Sequence, residues 1–290
     1  MIDCTGVITA LVTPFSNKKV DEEGLRKNIA FQIQEGISGL LALGTTGEAS
    51  TLSVSEQKRV IDVVIQEVKG RVPVYVNVGD NCTEKTVEKA HIAEKCGADA
   101  LLAVTPYYNR PTQEGLFCHF KALALSTSLP IILYHHPPRT GVSFSFKTIK
   151  RLIEFPNIVG IKEASSNLTL ITKMLHAFPK EWVLFSGDDP ITLPLMSLGA
   201  QGVISVLSNL VPGAMLKMVN LAKKGKFEEA RKWNLKLFPY YELSGLETNP
   251  APIKAMMEEA NLPSGPCRLP LVPLTIKNRE KIKTFFPLPF

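Results

Sequence analysis

Long apolar stretches are missing from this sequence. Although 45% of its 290 residues are hydrophobic, no apolar run reaches the roughly 18 residues that a membrane helix needs. The first residues, MIDCTGVITALVTPF, also lack the basic leader, apolar core and small-residue cleavage site of a secretion signal. We therefore expect a cytoplasmic protein without a membrane partner.

Paired cysteines are missing as well. The five cysteines are odd in number and scattered without CxxC spacing, at Cys4, Cys82, Cys96, Cys118 and Cys267. This distribution disfavours both a disulfide framework and a zinc site. We expect no structural disulfide and no bound metal.

Blocks of positive charge are absent too. The net charge is +6, but Lys and Arg are mixed with acidic residues, as in KKVDEEGLRK and KKGKFEEARKWNLK. This mixing disfavours binding to nucleic acid. A diffuse positive field instead suits small anionic substrates such as carboxylates.

What the chain does contain is eight apolar, β-branched runs separated by amphipathic stretches. The runs are GVITALVTPF, GLLALGT, VPVYVNVG, ADALLAVTP, PIILYHH, IVGIKEAS, WVLFSGDD and GVISVLSN. Strands that are apolar on both faces and alternate with helices pair in parallel, because each helical crossover returns the chain in the same direction. The pattern predicts an α/β fold, a (β/α)₈ TIM barrel. An open doubly wound sheet is disfavoured, since no glycine-rich dinucleotide motif follows the first run.

The helical signals mark where this alternation ends. Ser53 and Glu56 have capping-box spacing, and Gly97 is placed to end a helix. After about Gly225 the sequence indicates successive helices divided by Pro and Gly. We therefore divide the chain into a catalytic barrel, residues 1–225, and a C-terminal helical region, residues 226–290.

Lys162 is the most informative single residue. It lies within the apolar run IVGIKEAS, where strand alternation places it on one face with Gly160 and Ala164. Burial lowers the pKa of a lysine and leaves a partly neutral amine, which can attack a ketone to form a Schiff base. The alternative is a lysine at a strand end that pairs with Glu163 or reaches solvent, and the residue alone leaves both interpretations open.

Other polar residues follow the predicted strands. In GTTGEAS, Gly44 and Gly47 let the backbone approach a ligand and Thr45 and Thr46 offer hydroxyls, although a simple strand-to-helix turn also explains the motif. Tyr134 has the strand parity to face the same lumen as Lys162, but it also fits core packing.

Three further positions lie on loops or strand ends. Arg139 is on the loop after Tyr134, where it suits a substrate carboxylate or simple solvation. Adjacent Tyr107 and Tyr108 indicate either a site or a subunit contact. His135 and His136 resemble a metal pair, but neighbouring strand residues face opposite sides and no third ligand is evident, so we reject that interpretation.

Together these segments resemble the dihydrodipicolinate synthase family, a branch of the pyruvate-dependent class I aldolases. The resemblance spans essentially the whole chain and rests on GTTGE, TPYYNRP, Tyr134 through RTG, GIKEAS, SGDD, GVISV and NPAPIK in that order. GIKEA with a preceding tyrosine is shared by the wider superfamily. The double threonine, TPYYNRP and Arg139 favour the synthase branch.

The resemblance implies condensation of pyruvate with L-aspartate 4-semialdehyde in lysine and diaminopimelate biosynthesis, through an imine on Lys162 and without a cofactor. It implies catalytic roles for Lys162, Tyr134, Thr45 and Tyr108, with Tyr108 reaching across from a neighbouring subunit. It implies substrate-binding roles for Thr46, Arg139, Gly187 and Ile204. Members of the family are usually homotetramers built as a dimer of dimers.

The chain departs from the family in two places. His135 and His136 replace an Asn-aliphatic pair, with an effect on packing, on Tyr134 or on the pH profile that the sequence does not decide. At the site where L-lysine inhibits some members, Val54 and Gln57 replace histidines and Lys85 replaces a glutamate. Because this reverses a charge, we expect little inhibition by L-lysine.

Two rival functions remain open. One is an aldolase of the same superfamily that cleaves a sugar-derived acid. The other is a non-catalytic barrel that binds a ligand, since a fold alone does not establish activity.

Overall fold

Eight parallel strands form a closed barrel in the computed structural model, which describes residues 5–286. Beside them, β2 (Phe15–Ser16) and β3 (Lys19–Val20) make a small antiparallel pair. The barrel strands are β1 (Gly6–Ala10), β4 (Gly39–Ala42), β5 (Val74–Asn77), β6 (Ala100–Val104), β7 (Ile131–His135), β8 (Ile158–Glu163), β9 (Val183–Ser186) and β10 (Gly202–Ser205). Pairing of β1 with both β4 and β10 closes the sheet. All eight predicted strands and the barrel are confirmed.

Helices follow the strands and cover the barrel. They are α1 (Glu22–Gln34), α2 (Val54–Val68), α3 (Thr83–Cys96), α4 (Gln113–Ser126), α5 (Pro137–Thr140), α6 (Phe146–Leu152), α7 (Leu168–Ala177), α8 (Thr192–Leu198), α9 (Pro212–Lys223), α10 (Phe227–Ser244), α11 (Ala251–Glu259) and α12 (Ile276–Phe285). The predicted capping box of Ser53 and Glu56 begins α2, and Gly97 ends α3 in a left-handed conformation with φ 91°. These two local predictions are confirmed.

Apolar side chains form two separate layers. Residues on one face of the strands pack against the helices, whereas the other face fills the lumen. Along β7, Ile131 and Leu133 face the helices while Ile132 and Tyr134 face the lumen. The alternation of a strand thus assigns its polar residues either to the lumen or to the outer wall.

The C-terminal region differs from its prediction at Pro239. Helix α10 runs through Pro239 instead of ending there. Proline has no backbone N–H, so the carbonyl four residues earlier lacks its helical hydrogen bond. Here that carbonyl belongs to Leu235, which is exposed, so solvent can bind it. Helix α10 also packs on α9, where the hydroxyl of Tyr241 lies 3.8 Å from the sulfur of Met215.

Among residues 5–286, no helix combines the length and apolar character needed to cross a membrane. Cys82, Cys96, Cys118 and Cys267 are free thiols, and Cys4 lies outside the described residues.

Candidate active site

Lys162 points into the lumen near the carboxyl end of the barrel. It is only 5% exposed, and its Nζ lies 4.2 Å from the centre of the Tyr134 ring on the adjacent strand. The next residue, Glu163, faces the outer wall, where its carboxylate lies 2.8 Å from Nδ1 of His135. The two alternative interpretations of Lys162, pairing with Glu163 or reaching solvent, are therefore wrong.

The surroundings of Lys162 favour a neutral amine. The pKa of Lys162 is lowered from its ordinary value to about 8, chiefly by burial. The charge of Arg139 also lowers this pKa, whereas the carboxylates of Asp189 and Asp188 raise it. Burial also raises the pKa of the Tyr134 phenol to about 12, so that this hydroxyl stays protonated at neutral pH. The site thus holds a weakly basic amine beside a phenol that can donate a proton.

The GTTGE turn brings two threonines to this end of the barrel. The Thr45 hydroxyl is hydrogen-bonded to the Tyr134 phenol. Thr46 is buried, and its Oγ1 accepts a hydrogen bond of 3.1 Å from Nδ2 of Asn249, in the C-terminal region. The turn therefore links a lumen residue to a distant segment.

The two glycines of the turn, Gly44 and Gly47, lie in different surroundings. Gly44 lines the cavity above Lys162, as expected for close approach to a ligand. A Cβ on Gly47 would instead lie 3.1 Å from the carbonyl oxygen of Leu11. Gly47 is small because it packs against the chain itself, which corrects its predicted ligand role.

A cavity of about 220 Å³ opens directly above Lys162. Polar residues in its lining include Thr45, Thr46, Tyr134, His136, Arg139, Lys162, Asp188, Asp189 and Asn249. An adjoining outer cavity of about 370 Å³ shares Thr45, Tyr134, His136, Arg139 and Asn249. The two form one path from the surface to the amine, with room for small carboxylate substrates.

The remaining predicted binding residues surround this path. Arg139, on α5, is exposed and its Nη2 donates a hydrogen bond of 3.5 Å to the carbonyl of Asn249. A Cβ on Gly187 would lie 3.1 Å from Cε of Lys162, so a side chain there would crowd the amine. Ile204 is 1% exposed within the lumen layer.

Tyr108 is the one predicted site residue that a single chain does not bring to the site. It is 89% exposed, has a left-handed φ of 73° and is not part of either cavity lining. Its neighbour Tyr107 lines the outer cavity, where its phenol is hydrogen-bonded to the backbone of Asn81. The exposed tyrosine is therefore available to another molecule.

The two adjacent histidines diverge. His135 is 1% exposed on the outer wall; Nδ1 donates to Glu163, and Nε2 accepts a 3.2 Å hydrogen bond from the backbone N–H of Phe144. His136 lies on the cavity side, with its ring centre 5.8 Å from that of Tyr134. Within the described part of the chain, no three His, Cys, Asp or Glu side chains are grouped to hold a metal ion.

Sequence reasoning missed several residues that line the cavity. Asp188 and Asp189 follow β9 directly, and Asp189 accepts hydrogen bonds from the backbone N–H groups of Val206 at 3.0 Å and Leu207 at 2.9 Å. Their position at the carboxyl end of a barrel strand could have identified them. Asn249 had no comparable local signal, because only folding brings it to Thr46.

Comparison with known proteins agrees with this geometry. The model of the dihydrodipicolinate synthetase family matches residues 3–286. A 4-hydroxy-tetrahydrodipicolinate synthase of Methanocaldococcus jannaschii is 47% identical over 95% of each chain, and one of Geotalea uraniireducens is 46% identical over 96% of each. The solved structure of the enzyme from Methylacidiphilum fumariolicum SolV superposes with a TM-score of 0.95 at 43% identity, covering 97% of this chain and 94% of that one. This chain belongs to the dihydrodipicolinate synthetase family.

Proposed function

We propose that this chain is a lyase that condenses pyruvate with L-aspartate 4-semialdehyde to give 4-hydroxy-tetrahydrodipicolinate, in lysine and diaminopimelate biosynthesis. The observation that carries the proposal is the buried amine of Lys162, held against Tyr134 at the base of a cavity with polar walls. The relatives named above carry this activity in their names.

Imine formation is the first step. With a pKa of about 8, roughly one tenth of the amine is neutral at pH 7, against about one part in 3,000 for an ordinary lysine. The neutral amine of Lys162 attacks the ketone carbon of pyruvate, and the resulting carbinolamine loses water. Thr46 binds the pyruvate carboxylate in this arrangement, and Gly187 and Ile204 leave room beside the imine.

Carbon–carbon bond formation follows from the charge of the iminium. The iminium draws electrons from the pyruvate methyl group, which loses a proton and gives an enamine. The enamine attacks the aldehyde carbon, and the aldehyde oxygen takes up a proton. Attack of the substrate amine on the former ketone carbon then closes the ring and releases Lys162. The imine itself is the electron sink, so the proposal requires no cofactor.

Proton transfer is assigned to Tyr134, Thr45 and Tyr108. Tyr134 and Thr45 are already hydrogen-bonded to each other. Tyr108 joins them from a neighbouring subunit, in a homotetramer built as a dimer of dimers, which accounts for its 89% exposure in the single chain. Arg139 orients the carboxylate of the semialdehyde at the outer end of the cavity.

Reduction with borohydride in the presence of pyruvate tests the central claim. We expect irreversible inactivation and a modified peptide that contains Lys162, because borohydride reduces the imine to a stable amine. Modification of another lysine would refute the assignment. A coupled assay with a downstream reductase tests the substrates, and cleavage of a sugar acid without turnover of this pair would contradict them.

Replacement of Tyr108 by Phe tests the relay. If its hydroxyl transfers protons, kcat should fall by about 100-fold or more while the pyruvate KM changes little. Sedimentation of the same variant checks that the assembly is retained. A raised KM with an unchanged kcat would make Tyr108 a binding residue.

A further inference from the structure

The imidazole of His136 is a polar group in the cavity to which the reaction above gives no task. His136 lines both the inner and the outer cavity, together with Arg139. The ring meets Tyr134 edge to face, at an angle of 69°. The ring therefore lies in the cavity beside Tyr134 and close enough to Arg139 for their charges to interact.

The hydrogen bonds of His136 are incomplete, in contrast with those of His135. Its Nδ1 is enclosed by protein and makes no hydrogen bond of good geometry with any residue in the range 5–286. Because Nδ1 is enclosed, Nε2 is the nitrogen through which the ring can bind a ligand in the cavity. In the neutral tautomer with its proton on Nδ1, Nε2 carries a lone pair that can accept a hydrogen bond.

The ring is neutral at working pH. The pKa of His136 is lowered to about 4, chiefly by burial and also by the positive charges of Arg139 and Lys162. An imidazole with so low a pKa is a poor proton acceptor but remains a good hydrogen-bond acceptor. A neutral ring of this kind can accept a hydrogen bond from an N–H group of a ligand without taking its proton.

We propose that Nε2 of His136 accepts a hydrogen bond from the α-ammonium of L-aspartate 4-semialdehyde and so selects an amino-acid aldehyde over one without the amine. This inference rests on the proposed function. With the substrate carboxylate on Arg139 and the aldehyde directed toward Lys162, the ammonium is one carbon from the carboxylate, in the space that His136 lines together with Arg139.

Asp188 is the competing acceptor for this ammonium. It lines only the inner cavity, whereas His136 and Arg139 line both cavities. The electrostatic interaction of Asp188 is with Lys162, and burial raises the pKa of its carboxyl group. His136 therefore accompanies Arg139 in both cavities, whereas Asp188 accompanies it only in the inner one.

Kinetics of His136→Phe and His136→Gln in the coupled assay test the proposal. Phenylalanine removes the acceptor and glutamine replaces it, since its amide oxygen reaches a position similar to Nε2. We expect the semialdehyde KM to rise by about 10- to 100-fold in the Phe variant, the loss typical of one hydrogen bond to a charged group. The Gln variant should recover much of this loss, and borohydride trapping with pyruvate alone should be unchanged in both.

The analogue 4-oxobutanoate, which lacks the amine, provides the specific readout. Its inhibition constant against the semialdehyde should be the same for wild type and His136→Phe. An equal loss of affinity for the semialdehyde and for 4-oxobutanoate in His136→Phe would show that the ring acts through shape alone and would overturn the proposal.

His119→Phe is the matched control. His119 is 4% exposed, burial also lowers its pKa to about 4, and it bonds Thr83 away from both cavities. This variant should leave the semialdehyde KM unchanged. An unaltered KM in His136→Phe beside a raised KM in Asp188→Asn would assign the ammonium to Asp188 and refute our inference. Failure of wild type to turn over the semialdehyde would instead refute the proposed function.

Discussion

Two lysines are almost equally buried in this protein but have opposite surroundings. Lys162, in the lumen, is 5% exposed, and Lys254, where α11 meets the barrel, is 3% exposed. Nζ of Lys254 lies 2.5 Å from Oε1 of Glu48 and donates a 3.2 Å hydrogen bond to the carbonyl of Pro266. Lys162 instead lies against the ring of Tyr134.

The difference shows how one residue type serves chemistry in one region and structure in another. Burial lowers both lysine pKa values, but the direct contact with Glu48 acts against this at Lys254. Glu48 also accepts a 2.8 Å hydrogen bond from the backbone of Arg268, and it belongs to the same turn as Thr45 and Thr46. Lys254 therefore helps to hold the turn, whereas the amine of Lys162 has no such carboxylate in direct contact.

Both buried lysines border a cavity. One of about 390 Å³ lies beside Lys254, and the inner and outer cavities that lead to Lys162 are about 220 Å³ and 370 Å³. The amine of Lys254 is already engaged by a carboxylate. The environment of the amine, not the volume beside it, identifies the site.

The largest expected effect is the loss of activity in Lys162→Met. Without the amine no imine forms, so turnover should fall by about 1,000-fold or more and borohydride trapping should disappear. Lys254→Met is the matched control, because it removes an equally buried amine and should still be trapped at Lys162. Persistent trapping in Lys162→Met would show that another lysine forms the imine and would contradict the contrast between the two residues.

The next largest effect concerns stability at the other lysine. Lys254→Met leaves the Glu48 carboxylate buried without its cation, which should cost about 3–5 kcal/mol in the free energy of unfolding. Denaturant titration measures this. The double variant with Glu48→Leu should recover much of the loss, because no charge is then left unpaired; equal losses in both variants would contradict a specific ion-pair role.

A smaller effect of opposite sign is expected for the stability of Lys162→Met. The folded-state pKa of Lys162, about 8, is below the unfolded value, so burying its charge destabilises the protein by on the order of 3 kcal/mol at neutral pH. This cost is fully present below pH 8 and disappears as pH rises through the unfolded pKa. Lys162→Met should therefore be more stable than wild type at pH 7, and the two should converge toward high pH in thermal unfolding. A variant that is less stable at pH 7 would mean that the amine has a stabilising partner.

The smallest effect involves a third environment, the solvent-exposed lysine at position 85. Lys85 is exposed on α3, and its charge acts on the nearby carboxylate of Asp80. From the family resemblance we expect a glutamate at this position in members that L-lysine inhibits, and the positive charge of Lys85 should instead repel the ammonium of free L-lysine. Titration of L-lysine at subsaturating pyruvate should change the rate by less than about twofold, because the like-charge contact with Lys85 disfavours binding of the effector. Strong saturable inhibition would show that Glu84 or another group accepts the effector.

The sequence alone determined the barrel and the strand face on which Lys162 lies. Eight apolar runs separated by helical patterns require parallel strands, and strand alternation assigned Lys162 and Tyr134 to one face and Glu163 to the other. These inferences succeed because the signals are local: a period of two residues determines which face a side chain occupies.

Only the tertiary structure decided which distant residues complete the site. Lys254 in APIKAMMEE has the pattern of an ordinary helix lysine, yet it pairs with Glu48 across 206 positions. Asn249 likewise meets Thr46 across 203 positions. The continuation of α10 through Pro239 was equally invisible in the sequence. Such contacts depend on how the closed barrel packs against the C-terminal helices, and no local periodicity records that geometry.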